Sequence, residues 1–147
     1  MKTKLLNRVV LYVCIGLFIS CVGDGYTGYE DNNIYGEITT EINGEMRSFN
    51  SYSFVYGNDL VISSSSNAIL LFTFPNTLGT HSFKNAKASA NYTSENCLEC
   101  MPFEAVEGTI TLTISTEDKV KGYFFFRGVN HEMDEVHFRK GTFDIGH

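Results

Sequence analysis

Beyond residue 33, apolar and polar positions alternate in short runs divided by turn formers. Ile38 and Ile42 fall among Thr and Glu in residues 34–42, which predicts a first strand. Asn43-Gly44 follows, the strongest short hairpin signal. Met46, Phe49 and residues 52–56 continue as a second strand up to the turn at Gly57-Asn58-Asp59. Leu60, Val61 and Ile62 form a third, and residues 63–67 read as a turn. Residues 68–74, AILLFTF, are continuously apolar and predict a buried strand. Residues 78–83 are short and strand-like, residues 84–91 are the one place where a helical turn is expected, and residues 92–101 look irregular.

The cleanest pattern begins at Gly108. Thr109, Thr111, Thr113 and Ser115 interleave with Ile110, Leu112 and Ile114, the mark of a half-buried antiparallel strand. Glu117-Asp118 turns the chain into an aromatic-rich run over residues 120–129. Its neighbours Tyr123, Phe124, Phe125 and Phe126 predict a central strand buried on both faces; the alternative is that the rings form a stacking platform for sugars. Two last strands are expected at residues 136–138 and 142–145, with Lys140-Gly141 between them. Short strands at regular spacing and almost no helical period predict an all-β fold. A two-sheet antiparallel β-sandwich is the expected architecture, with a small β-barrel as the alternative.

The first 33 residues follow other rules. Lys2, Lys4 and Arg8 precede an apolar run over residues 9–19, too short for a spanning helix, which needs roughly 20 apolar residues. A basic start followed by a short apolar stretch reads as an export signal. The run ends Phe18-Ile19-Ser20-Cys21, which resembles the bacterial lipobox, although Phe18 stands where Leu is usual. That resemblance implies cleavage before Cys21 and diacylglycerol on its sulfur, an anchor stable where a single acyl chain would be marginal. The expected organisation is a lipoprotein signal peptide over residues 1–20, a flexible tether over 21–33 and a β domain over 34–147. The Gly-, Asp- and Asn-rich tether could reach roughly 40 Å at about 3.3–3.6 Å per residue.

Charge narrows the partners. The whole chain of 147 residues carries a net charge of −6 from 11 basic and 17 acidic residues. Loss of residues 1–20 removes Lys2, Lys4 and Arg8 and no acid, leaving 8 basic against 17 acidic residues, a net charge of −9. Such a surface repels phosphate backbones, so nucleic acid is excluded, and membrane attachment falls to the lipid on Cys21.

Cysteine arithmetic agrees with that anchor. Cleavage discards Cys14, lipidation uses Cys21, and Cys97 and Cys100 remain as an even pair suited to an oxidising compartment. A local disulfide between Cys97 and Cys100 is the reading carried forward; so small a ring contributes only about 2 kcal/mol by loop entropy. Metal and redox roles are the alternatives, but the segment lacks a helix N-terminus to activate a thiol and nearby residues to complete a zinc site. His81, His131, His137 and His147 form no recognisable catalytic spacing, and Glu132, Asp134 and Glu135 read as a solvated acidic turn.

Residues 108–114 (GTITLTI), Val120-Lys-Gly122-Tyr-Phe124-Phe-Phe126 and Gly141-Thr-Phe143 together resemble a family of small Bacteroidetes lipoproteins of unknown function. The resemblance covers most of residues 36–146 and implies a compact β domain behind a lipobox, with no catalytic residues to transfer. The expected function is that of a lipid-anchored protein of the bacterial cell envelope, at the outer membrane. It would be non-enzymatic and without a cofactor, and would bind a protein or glycan ligand. The alternative is a small hydrolase or metal-dependent enzyme whose site, for example His81 with Glu or Asp, converges only in three dimensions.

Overall fold

In a computed structural model, residues 33–66, 68–95 and 100–146 are described. The signal segment, Cys21, most of the tether, Cys97 and His147 lie outside them. Nine strands follow in order: β1 Ile34–Ile42, β2 Glu45–Tyr56, β3 Asp59–Ser64, β4 Ile69–Pro75, β5 Gly79–Ser82, β6 Ser89–Thr93, β7 Phe103–Ser115, β8 Lys119–Val129 and β9 Glu135–Gly146. All pairings are antiparallel.

Eight strands pair in the ring β1-β2-β3-β4-β6-β7-β8-β9, and β9 returns to β1 with Ile38 opposite Phe143. Short β5 lies beside β7, on the edge that β6 also uses. The all-β class expected from the sequence therefore holds, and the closed barrel, the alternative to the two-sheet sandwich, is its architecture. The physical reason is the β1–β9 ladder: once the last strand pairs with the first, there is no second sheet and closure removes the edges.

Pairing rests on turn chemistry. Asn43 and Gly44 both take positive φ, as a two-residue hairpin of this type requires. Residues 84–88 carry hydrogen-bonded turns, with Asn85 N–H on the Ser82 carbonyl and Ala88 N–H on the Asn85 carbonyl, and β6 begins at Ser89. The expected helical turn is thus a pair of tight turns, because the segment must bring β6 back beside β4 within five residues. The third strand runs on to Ser64, where its hydroxyl donates to the Ala68 carbonyl and accepts from Leu70 N–H, closing the connection into β4. The two strands expected at the C-terminus are one. Lys140, at φ 51°, absorbs an extra residue as a bulge, and pairing with β8 continues on both sides of it.

Alternate residues fill the barrel. On β4, Leu70, Phe72 and Phe74 are fully buried while Ile69 is exposed, so the continuous apolar run is still read one side at a time. On β8 the inward set is Val120, Gly122, Phe124, Phe126 and Gly128, and on β9 it includes Phe138, Gly141, Phe143 and Ile145. The glycines make room for rings across the ladder. Gly122 pairs with Phe143, and Gly141 pairs with Phe124. Phe126 stacks on Phe138 with centroids 4.2 Å apart, and Phe72 meets Phe124 at 4.7 Å. An eight-stranded barrel has an interior just wide enough for side chains to fill, and here these rings fill it.

Candidate functional site

With the interior occupied by aromatic and aliphatic side chains, chemistry is left to the outer wall and the turns. Tyr35, Tyr52 and Phe54 form one aromatic group on the wall of β1–β2, and the wall of β7–β8–β9 carries another. Tyr123 and Phe125 are each 52% exposed, side by side on the outward face of β8. The expectation of a strand buried on both faces is therefore corrected: in a closed barrel only one face of a strand meets the core, and Phe124 and Phe126 take it.

Register gives the pair its surroundings. Tyr123 lies between Thr111 of β7 and Thr142 of β9, and Phe125 opposes Thr109. Thr111 exchanges a hydrogen bond of 2.8 Å with Thr80 of β5. Thr142 opposes Thr39 of β1, whose hydroxyl is 3.4 Å from that of Ser48 on β2. One hydroxyl from each of six neighbouring strands thus forms a band around the wall, with Tyr123 in it. The Thr alternation at 109–113 was legible in the sequence. The rest of the band depends on cross-strand register, which no local pattern reveals.

Charges border this band in closed pairs. Lys119 and Lys121 each hold Asp144 at 2.8 Å, and Lys140 holds Glu41 at 2.8 Å. Hydrogen bonds from Lys119 and Lys121 keep the Asp144 carboxyl below its ordinary range, and the hydrogen bond from Lys140 does the same for Glu41. Arg127 bridges Glu135 at 2.8 Å and Glu107 at 3.5 Å.

The other candidates from the sequence are dispersed. His81 on β5 bonds the Thr77 carbonyl at 2.9 Å and packs 5.6 Å from the Phe74 ring; neither contact is a carboxylate. His137 lies on β9, 3.5 Å from Glu135, and His131 is exposed in the β8–β9 turn. In that turn Asn130 organises the acidic residues: its side-chain oxygen accepts from Glu132 N–H and Asp134 N–H, and its amide reaches the Asp134 carboxylate. Cys100 is disulfide-bonded. Among the described residues, no group of three or more His, Cys, Asp or Glu is arranged to hold a metal ion, and no helix is long and apolar enough to cross a membrane. An open groove of about 820 Å³ lies at one end of the barrel, between Asp59, Thr73, Asn76 and Lys87. Neither His81 nor a cysteine lines it.

No curated protein and no solved structure matches the chain. A family model does match, over residues 41–145, which takes in the barrel from the end of β1 to β9. The chain belongs to the family defined by this domain of unknown function, DUF6252.

Proposed function

We propose that this protein is a lipid-anchored lipoprotein of the bacterial envelope, of the Bacteroidetes type its strand motifs resemble, whose barrel serves as a non-enzymatic binding module. The observation that carries the binding reading is the half-exposed Tyr123–Phe125 pair on the wall of a barrel whose own interior is full. A filled barrel offers no internal ligand chamber, so recognition falls to outward side chains and turns. The anchor reading rests on the sequence: a basic start, an apolar run ending at Ser20-Cys21, and a polar tether. Anchoring is proposed at the outer membrane.

The fold suits such an attachment. The tether leads into β1, which starts at the barrel end that also carries the turns at 57–58, 76–78 and 116–118. The turns at 43–44 and 130–134 lie at the other end of the barrel. The hydrolase alternative gains no support from His81, whose partners are a backbone carbonyl and a phenyl ring.

Fractionation of cells producing Cys21→Ala tests the anchor: the variant should leave the membrane fraction, and its retention there would overturn the reading. Recovery of a bound protein or glycan on pull-down of the native chain from its envelope is the expected result for a binding module. Recovery of neither would count against it.

A further inference from the structure

We propose that the outer wall around Tyr123 and Phe125 binds a neutral polysaccharide. The inference rests on the binding-module reading above and names its ligand class. The two rings sit two residues apart on one strand, about 6.7 Å along it, and each leaves half its surface to water. A large aromatic surface held in water is costly unless something covers it. What surrounds the rings decides what can cover them.

An apolar protein partner, or a second copy of this chain, would want a contiguous apolar patch. Here the nearest cross-strand neighbours are hydroxyls: Thr109, Thr111 and Thr142. The band continues through Thr80 on one side and through Thr39 and Ser48 on the other. In a closed barrel that band curves away on both sides, and the part that faces a ligand together with the rings is β7, β8 and β9, roughly 10 Å across at about 4.8 Å per strand. A pyranose ring presents C–H groups on its faces and hydroxyls on its edge. Its face stacks on Tyr123 or Phe125 while its edge reaches the flanking hydroxyls of Thr109 and Thr142, each of which both donates and accepts; Thr111, buried beside Thr80, supports the wall from within. Two exposed rings along one strand can each stack a sugar, which suits a chain of such rings better than a single sugar.

Charge selects among glycans. Lys119, Lys121, Lys140 and Arg127 already hold carboxylates, and Glu37 on β1 lies in the outward row beside Asp144. Arg139 stands beside the bulge opposite Phe125 and adds a donor. Within a mature chain of net charge −9, that single guanidinium does not offset the field that repels a polyanion.

The test is affinity electrophoresis of the detergent-solubilised full chain through gels holding starch, xylan, mannan or a mixed-linkage β-glucan, with polygalacturonate as the anionic arm. Retardation by at least one neutral polysaccharide is expected, together with at least a tenfold loss of affinity in Tyr123→Ala/Phe125→Ala at unchanged thermal melting. The rings lie outside the core, so that variant should fold. Thr109→Val and Thr142→Val serve as second variants and should weaken retardation severalfold. Retardation by polygalacturonate alone, by none of the five, or equally by wild type and the double variant overturns the inference. Capture of an envelope protein, undiminished in Tyr123→Ala/Phe125→Ala, overturns it too but leaves the binding-module reading in place.

Discussion

Gly141→Ala should destabilise the barrel by a net of about 1–2 kcal/mol, and the reason is local to one cross-strand pair. A Cβ built on Gly141 would lie 2.5 Å from Cε2 and Cζ of Phe124 and 2.7 Å from Cδ2. Carbon atoms in comfortable contact sit about 3.5–4.0 Å apart, so three atoms overlap by about 1 Å. Phe124 has little room to move, since it is buried and its ring meets Phe72 at 4.7 Å and Phe126 at 6.2 Å. Overpacking of this kind costs about 1–3 kcal/mol. Against it stands about 0.4–1 kcal/mol from the lower unfolded-state entropy of Ala, available because Gly141 does not need a left-handed backbone. Phe124→Leu should relieve the overlap, so the double variant Gly141→Ala/Phe124→Leu should be more stable than the two single effects add to, with a coupling of about 1–2 kcal/mol. Urea unfolding followed by far-ultraviolet circular dichroism measures this in a chain without Trp. Gly122→Ala provides the contrast. Its Cβ would strike the Thr111 backbone oxygen as well as the Phe143 ring, so Phe143→Leu should not rescue it. Wild-type stability in Gly141→Ala, or strict additivity in the double variant, would refute the interlock.

Two further perturbations probe the polar groups. Ser51 and Ser53 point inward on β2, and their buried hydroxyls have no partner among the described residues. Ser51→Ala and Ser53→Ala should each raise stability by about 1 kcal/mol in thermal melts, because an unpaired buried hydroxyl costs more than the small void it leaves; a clear loss in both would show that the hydroxyls are satisfied. Acid titration probes Asp144, whose proton affinity is lower folded than unfolded because Lys119 and Lys121 hydrogen-bond the carboxylate. Its contribution is complete above the ordinary value of 3.8 and disappears as the pH falls through the lower folded value. The stability gap between wild type and Asp144→Asn should be under about 1 kcal/mol at neutral pH, since the pair is exposed, and should close in acid. A gap that widens on acidification would reverse the assignment.

Strand positions were legible because the signals that set them are local. Residues 34–42 end where Asn43 and Gly44 force positive φ, and the Thr/Ile alternation from residue 109 to 112 places Ile110 and Leu112 in the core. Where the reading failed, the deciding interaction was long-range. Lys140-Gly141 resembles a turn locally, yet β8 pairs across it, so a bulge in one strand looks like a break between two. The run Tyr123 to Phe126 looks doubly buried until β9 closes on β1 and leaves β8 with a single core face. Apolar content says how much surface a segment wishes to hide, and closure decides how much of it can be hidden.

That same closure explains why the candidate site was invisible as a motif. The residues that resemble a family pattern, Val120, Gly122, Phe124, Phe126, Gly141 and Phe143, all face inward. They maintain the barrel: the glycines admit the rings and the rings fill the axis. The residues proposed to meet a ligand occupy the intervening positions, Tyr123, Phe125 and Thr142, which face outward. In a filled barrel the two sets must alternate along each strand, because successive side chains point to opposite faces. The inward residues therefore carry the fold, while the outward residues are not held by core packing. On this logic, exchange of the outward residues of β7, β8 and β9 should change what the wall binds without changing how the barrel folds.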